Sequence, residues 1–337
     1  MIKEAIQSLV EGQSLTGDEA AAVMGEIMTG EVTPAQFGAF VTALRLKGET
    51  VEEISGLARI MREKAVPVKV DYPVIDIVGT GGDGRNTFNI STTTLFIVAG
   101  AGLKVAKHGN RAASSQCGAA DVLEALGVKL ELTAEQVERC INEVGVGFMF
   151  APSFHPAMKY AGPSRREIGI RTVFNILGPL TNPAGARNYL LGVGDASLTE
   201  KMASVLASLG CDHALVVHAE DGVDEICLTG KTQVYEVKGN DINFYTVSPV
   251  DFGLPEVALE SLKGGTADKN AVTLKNILSG TPGPQRDVVL ANAAAALLAG
   301  DKVSSLKDGV KLAGESVDSG RAMAALEQLI KLTGRFA

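Results

Sequence analysis

The chain has 337 residues, of which 46% are apolar and 5% aromatic, with no Trp; its 31 Lys and Arg against 39 Asp and Glu give a formal charge of −8. This length and composition predict about two well-packed domains. The negative charge and the scarcity of aromatic rings argue against a surface for nucleic acid or for an anionic membrane. We therefore expect any anion to be held locally, by loop amides, a few cations or a metal.

The cysteines and the N-terminus bear on the compartment. The four cysteines show no Cys-x-x-Cys pairing and lie among apolar or helical residues, which predicts buried, reduced thiols: Cys117, Cys140, Cys211 and Cys227. The first residues lack the continuous apolar stretch of a signal peptide. The most apolar segment, 293–299, is far shorter than a membrane span. We expect a soluble, cytoplasmic protein.

The first 65 residues carry helix signals throughout. Three capping boxes mark helix starts, namely Thr16 with Glu19, Thr33 with Gln36, and Thr50 with Glu53. Pro34 stands at a first helical position, where a missing N–H costs little. Gly30 and Gly48 end two of these helices. The pattern predicts a helical N-terminal domain over residues 1–69.

From residue 70 onward, strand-like and helix-like segments alternate. The predicted strands are 74–78, 103–106, 146–150, 190–193, 214–217 and 233–237. The predicted helices are 118–126, 134–144, 198–209 and a helical C-terminal region over 285–333. Alternation of this kind predicts an α/β domain over 70–337 with a mostly parallel central sheet.

Residues 163–186 interrupt the alternation. A helix is predicted over Ile168–Leu177, ending at Gly178-Pro179, and a turn follows at Asn182-Pro183. We expect this segment to join the helical domain. That arrangement would leave a cleft between the two domains, where small molecules commonly bind.

A glycine-rich loop, 79–84, follows the first predicted strand, and Asn89 to Thr92 then open a helical run. Strand, glycine loop and helix start form a geometry that binds phosphate through backbone N–H groups. A dinucleotide fold would need an acidic residue at the end of the next strand, where this chain has Lys107-His108. No Gly-Lys-Ser/Thr closes the loop, so it is not a Walker A motif. A glycine turn without ligand remains the alternative.

Two further groups of residues complete the pattern. Residues 107–115, KHGNRAASS, repeat the order of strand, glycine and polar loop before a helix, and Lys107 and Arg111 add local positive charge; the alternative is a solvated basic turn. Asp224-Glu225 follow the strand at 214–217. Adjacent acids are usually solvated, but beside a polyanion they make sense as ligands of a divalent cation such as Mg²⁺.

These motifs together resemble one known family. GTGGDG at 79–84, NIST at 89–92, KHGNRAASS with GAADVLEALG over 107–127, and RTVFNILGPLTNP at 171–183 are similar to the anthranilate phosphoribosyltransferase family of tryptophan biosynthesis. The resemblance covers essentially the whole chain. It implies a small helical domain and a large α/β domain of the nucleoside phosphorylase/phosphoribosyltransferase type, usually paired as a homodimer through the helical domain.

The resemblance also implies roles for individual residues. Phosphoribosyl pyrophosphate would contact Gly79, Gly82, Asp83, Thr87, Asn89, Ile90, Ser91, Thr92, Lys107, His108, Gly109, Asn110, Arg111, Ala112, Ala113, Ser114, Ser115 and Ala119. Many members carry Ser where this chain has Ala119, so a side-chain hydrogen bond to pyrophosphate is lost there. Anthranilate would contact Gly79, Asn110, Arg165, His108, His155 and Met158. Ser91 and Glu225 would hold one Mg²⁺, and Asp224 with Glu225 a second.

The implied reaction is attack of the anthranilate amine on the anomeric carbon, with departure of pyrophosphate. The enzyme must then neutralise pyrophosphate and position the amine, the second task falling to Asn110 and Arg165. No strong nucleophile is needed; His108 is either a proton acceptor or a neutral hydrogen-bonding group. A pyrimidine nucleoside phosphorylase should lack the KHGNR run, and a nucleic-acid-binding relative should be basic.

Overall fold

The structure is a computed structural model, and it describes residues 1–112 and 116–336. The chain begins with the four helices α1 (Ile2–Val10), α2 (Gly17–Thr29), α3 (Pro34–Lys47) and α4 (Val51–Glu63). All three predicted capping boxes are present, each with the reciprocal pair of hydrogen bonds. These bonds satisfy N–H groups that a first helical turn leaves unpaired. Gly30 ends α2 in the left-handed conformation, with φ 80°.

A seven-stranded sheet forms the centre of the described part of the α/β domain, in the order β3-β2-β1-β4-β5-β6-β7. Its strands are β1 (Ile75–Gly79), β2 (Val105–Gly109), β3 (Val146–Phe150), β4 (Asn188–Gly192), β5 (His213–Ala219), β6 (Thr232–Lys238) and β7 (Asp241–Val247). Strands β1 to β5 are parallel, while β6 and β7 are antiparallel. The prediction of a mostly parallel sheet is confirmed. Strand β7 was not predicted; it is the edge strand of the sheet, and most of its residues are exposed.

Helices pack on the strands of this sheet, and further helices pack on those. Their bounds are α5 (Ile90–Gly100), α6 (Ala119–Ala125), α7 (Ala134–Val144), α11 (Thr199–Ser208), α12 (Pro249–Phe252), α13 (Ala267–Leu278), α14 (Pro284–Ala299), α15 (Leu306–Asp318) and α16 (Arg321–Thr333). Helix α5 is apolar on nearly all sides and packs among β1, α14 and α16. Its first turn therefore has a fixed position at the carboxyl end of the sheet.

The segment after β3 differs from its prediction. It forms the short helices α8 (Ala151–Phe154), α9 (Gly162–Ile168) and α10 (Phe174–Leu177), with 3₁₀ turns at 156–159 and 178–180. The single helix predicted over Ile168–Leu177 is wrong, because Gly169 adopts a left-handed φ of 70° and ends α9.

This segment packs on the N-terminal helices. Helix α9 contacts α3, α10 contacts α4, and the rings of Phe37 and Phe174 lie 5.4 Å apart. The segment therefore contributes to the helical side of the molecule, although the boundary at residues 69 and 70 stays a prediction. All four cysteines are buried, as predicted. Within the described ranges, each helix is too short or too polar to traverse a bilayer.

Candidate active site

The glycine loop leaves β1 at the carboxyl edge of the sheet. Gly81, Gly82 and Gly84 have φ values of 65°, 73° and 69°, a region that residues with a Cβ rarely adopt. Gly79 is needed for another reason, since a Cβ there would lie 2.5 Å from Asp224 Oδ2. The loop is fixed to β4 at its base, where the Thr80 N–H donates to Gly192 O at 2.9 Å. Its backbone can therefore approach a ligand closely.

The acidic pair meets this loop and the start of α5. The Gly81 N–H donates to Asp224 Oδ2 at 2.7 Å, and the Ser91 N–H donates to Glu225 Oε1 at 3.2 Å. Burial, helped by the charge of Asp83, raises the pKa of Asp224 to about 6. Burial and the charge of Asp224 raise the pKa of Glu225. Two crowded carboxylates of this kind favour binding of a cation.

Lys107 lies beside the acidic pair. The Nζ donates to Ile77 O and, at 3.4 Å, to Ser91 Oγ. Burial lowers the pKa of this ammonium group, while the nearby carboxylates of Asp76, Glu225 and Asp224 oppose the shift. A buried cation next to Ser91 matches the expectation of local positive charge in an acidic protein.

Residues 107–115 differ in part from the predicted polar loop. Lys107, His108 and Gly109 belong to β2, which runs to Gly109 rather than ending at residue 106. Asn110 begins the loop and is exposed. Arg111 does not face the acidic pair: its guanidinium donates to Glu124 at 2.7 Å and to Asp121 at 3.1 Å, close to Ala112. Ala113, Ser114 and Ser115 lie outside the described residues.

The rings of His108 and His155 are in contact, with their centres 4.9 Å apart and their planes tilted by 50°. His108 Nδ1 bonds Gly178 O at 3.1 Å, and each ring keeps a buried Nε2 that has no hydrogen-bond partner among the described residues. Burial lowers the pKa of His108 to about 3 and that of His155 to about 4. Both imidazoles are therefore neutral near pH 7, and both offer an acceptor nitrogen.

Arg165 in α9 is half-buried, and its guanidinium carbon lies 5.3 Å from the centre of the Phe174 ring. Burial lowers the pKa of this guanidinium. Stacking of this kind orients the planar group and leaves its edge for a carboxylate. Met158 is half-buried in the 3₁₀ turn that follows His155.

The remaining candidates lie around the start of α5. Asn89 precedes the helix but does not cap it; its side chain bonds Cys117 O and Asn270 instead. Ile90 is buried, and Ala119 is the first residue of α6. Thr87 pairs with Lys263 in an isolated antiparallel β-bridge. Within 1–112 and 116–336, the buried oxygens Asp83 Oδ2 and Thr92 Oγ1 have no hydrogen-bond partner.

Other residues of the site were not found from the sequence. Asp76 is fully buried in β1 and accepts from the His108 N–H at 3.3 Å and from Asn182 Nδ2 at 2.7 Å. A lone acid within the apolar run VIDIV was the available signal. Gly192 allows the backbone of Asp224 to pack against β4. Arg171 donates to Gly81 O at 3.2 Å. No sequence pattern marked Gly192 or Arg171 as a residue of the site.

The donor set fits Mg²⁺. Across 1–112 and 116–336 no three His, Cys, Asp or Glu side chains converge as a metal cluster. Mg²⁺ typically takes one or two protein carboxylates and completes its shell with water and phosphate oxygens. Asp224 and Glu225, with their raised pKa values, and the buried Oδ2 of Asp83 are oxygen donors of the right kind.

Comparison with known proteins agrees with this fold. Residues 3–65 match the helical bundle domain of a glycosyl transferase family, and residues 71–323 match its a/b domain. The chain is 60% identical, over 100% of its length and 99% of the relative's, to an anthranilate phosphoribosyltransferase of Dehalococcoides mccartyi. It is 58% identical to one of Chloroflexus aggregans, with 98% of each chain covered.

Solved structures give the same result. An anthranilate phosphoribosyltransferase of Thermus thermophilus aligns with a TM-score of 0.93 and 46% identity, covering 98% of this chain and 99% of that one. The Saccharomyces cerevisiae enzyme in complex with PRPP and Mg aligns with a TM-score of 0.92 and 29% identity, covering 99% and 98%. The chain therefore belongs to a family of glycosyl transferases that combine a helical bundle with an α/β domain. Within that class it belongs to the anthranilate phosphoribosyltransferases, enzymes of tryptophan biosynthesis.

Proposed function

We propose that the cleft between the glycine loop and α9 is where this enzyme transfers the phosphoribosyl group of 5-phosphoribosyl 1-pyrophosphate to the amine of anthranilate. The products are N-(5-phosphoribosyl)anthranilate and pyrophosphate. One observation supports placing the pyrophosphate of the donor at the glycine loop. The crowded carboxylates of Asp224 and Glu225 meet the amides of Gly81 and Ser91 at the start of an apolar, fixed helix.

The donor side uses backbone more than side chains. The positive-φ glycines of the loop and the first N–H groups of α5 face the same edge of the sheet, and such groups bind phosphate oxygens. Lys107 adds a buried charge next to Ser91. With Ala119 in place of Ser, α6 offers only backbone groups at that point.

The acceptor side is built from α9 and the paired histidines. We assign the anthranilate carboxylate to Arg165, whose guanidinium is already oriented on Phe174. Asn110, at the end of β2, is placed to hold the amine. His108, with a pKa of about 3, is a weak base. We therefore assign to its Nε2, and to that of His155, the acceptance of hydrogen bonds rather than proton removal.

The chemistry then needs positioning and charge neutralisation. The amine is a weak nucleophile, so pyrophosphate departs early and the ribose develops oxocarbenium character. Arg165 and Asn110 hold the amine in line with the anomeric carbon. Its nitrogen bonds that carbon as the C–O bond to pyrophosphate breaks, and the acidic anilinium then loses its proton to water or to the departing pyrophosphate. We propose two Mg²⁺ ions, held by Ser91, Asp224 and Glu225; when bound they supply the Lewis acid that neutralises pyrophosphate.

Exposed apolar side chains and buried cysteines bear on the assembly and the location of the protein. We propose that the protein is a homodimer paired through its helical domain, which exposes large apolar side chains at Val10, Leu46 and Ile170. Its buried thiols favour a reducing compartment, and we propose the cytoplasm.

The assay follows the fluorescence of anthranilate mixed with phosphoribosyl pyrophosphate and Mg²⁺, together with released pyrophosphate. We expect both signals to change in step. A pyrimidine nucleoside phosphorylase would instead split uridine with phosphate, and a nucleic-acid-binding relative would leave anthranilate unchanged. Either result would contradict the proposed function.

The acidic pair is tested separately with the double variant Asp224→Ala/Glu225→Ala. We expect its activity at limiting Mg²⁺ to fall at least about a hundredfold, because two charge-assisted contacts are lost. Asp241→Ala, an exposed acid in β7, is the control and should keep wild-type activity. Full activity of the double variant at limiting Mg²⁺ would refute the metal assignment.

A further inference from the structure

Arg171 lies between α9 and α10 and reaches the glycine loop. Its Nη2 donates to Gly81 O at 3.2 Å. Its Nη1 occupies the space of a side chain at residue 82, since a Cβ on Gly82 would lie 1.4 Å from that nitrogen. The guanidinium thus both bonds the loop and packs directly on its backbone.

Gly81 is held from two sides. Its N–H donates to Asp224 Oδ2 at 2.7 Å, and its carbonyl accepts from Arg171. Gly81 and the following Gly82 both have positive φ, so this stretch has many alternative conformations to lose when it orders. Two anchors on one residue restrict the loop to the conformation that directs the Gly81 N–H at the acidic pair.

The anchor comes from the acceptor side of the cleft. Gly169 ends α9, and the Asn175 side chain accepts from the Thr172 N–H at 2.9 Å, which fixes the turn that carries Arg171. The same segment carries Arg165. A cavity of about 430 Å³ lies next to the loop, with Arg171 and Arg45 in its wall. Arg171 is therefore a direct link between the segment that holds the acceptor and the loop that holds the donor.

We propose that Arg171 is a positioning residue for the donor: it sets the glycine loop, through Gly81 and Gly82, in the conformation that receives phosphoribosyl pyrophosphate. The proposal rests on the proposed function, because it assigns that donor to the loop. Arg171 acts through the loop and takes no part in bond making or breaking.

The first test compares Arg171→Met with Arg171→Lys. We expect Arg171→Met to raise the KM for phosphoribosyl pyrophosphate about three- to tenfold, the value of one exposed hydrogen bond, and Arg171→Lys to recover part of this. The kcat and the KM for anthranilate should stay within about twofold, since the reacting groups are untouched. Calorimetric titration with phosphoribosyl pyrophosphate and Mg²⁺ should give the same weakening.

Arg45→Met is the matched control, because it removes a charge from the same cavity wall, where Arg171 rather than Arg45 donates to Gly81 O. An equal effect in both variants would overturn the proposal in favour of a general electrostatic effect. A loss of kcat in Arg171→Met with an unchanged KM for the donor would also overturn the proposal. Wild-type protein that fails to consume anthranilate refutes the proposed function itself, whereas active wild type with an unaffected Arg171→Met refutes only the positioning role.

A double-mutant cycle tests whether Arg171 acts through the loop; Gly82→Ala is also strained in itself, because residue 82 has a φ of 73°. Gly82→Ala should displace the guanidinium, so its effect on donor affinity should overlap with that of Arg171→Met. We expect the double variant to bind the donor about as weakly as Gly82→Ala alone. Additive losses would mean that Arg171 does not act through the loop.

Discussion

His108 and His155 are held neutral by burial rather than by counter-charges. Their pKa values, about 3 and about 4, lie well below the ordinary value near 6.5. His108 faces the ring of His155 on one side and the charge of Lys107 on another, and both disfavour its protonation. The neutral state leaves a hydrogen-bond acceptor nitrogen, Nε2, on each ring.

This burial has a consequence for stability in acid. Because the unfolded chain binds a proton at residue 155 below pH 6.5 and the folded chain does not until about pH 4, stability falls as pH falls across that window. The loss from His155 is about 2 kcal/mol between pH 7 and pH 5. Urea unfolding of wild type and of His155→Gln should show a shallower fall in the variant. Identical pH slopes would contradict the assignment.

The polar residues of the site differed in how far sequence could predict them. Asp224 and Glu225 were predicted because an acidic pair that accompanies two phosphate loops is typical of a divalent-cation site. Asp76 was missed, since its role depends on Asn182 and the His108 N–H, which come from distant parts of the chain. Arg171 was missed for the same reason: the carbonyl that it bonds lies in a loop far from it in sequence.

At the scale of elements, helix starts were predictable and one helix interior was not. The capping boxes of α2, α3 and α4 depend on side chains three residues apart, so local sequence contains the whole signal. The region Ile168–Leu177 has apolar residues at helical spacing, yet Gly169 ends α9 there. Phe174 in the following helix packs on Phe37, and that contact is not local.

Close packing at the end of β4 leads to a prediction for Gly192. A Cβ there would lie 1.6 Å from the carbonyl oxygen of Asp224, so the backbone that carries the acidic pair would have to move. We expect Gly192→Ala to cost about 3 kcal/mol of unfolding free energy and to weaken Mg²⁺ binding in calorimetry.

Gly314→Ala provides the control for Gly192→Ala. Gly314 lies in α15, where a Cβ would meet nothing within 4 Å. The change should stabilise the helix by about 0.5 to 1 kcal/mol and leave Mg²⁺ binding unchanged. If Gly192→Ala behaved like Gly314→Ala, the close contact with Asp224 would have no role in the site.

At the scale of the whole molecule, the helical side is fastened to the α/β side by specific polar contacts. Arg62 in α4 donates to the Tyr189 hydroxyl of β4 at 3.3 Å. The same guanidinium holds the 163–186 segment by donating to Leu180 O at 2.6 Å. Lys201 in α11 donates to Glu49 O at 2.6 Å. These bonds fix the helices on which α9 and α10 pack, so they also set where Arg165 and Arg171 lie relative to the glycine loop.

The exposed apolar side chains of the helical domain bear on assembly. Leu46, near the end of α3, is 83% exposed, and burying a leucine stabilises an interface by about 1.5 to 3 kcal/mol. In a two-fold dimer the same substitution is present on both sides of the interface, so its destabilising effect is doubled. We expect sedimentation velocity at micromolar concentration to give a dimer for wild type and a largely monomeric species for Leu46→Glu. Val272→Glu, at an exposed position of α13, should remain dimeric. A monomeric wild type, or a dimer that both substitutions leave intact, would contradict pairing through this end of α3.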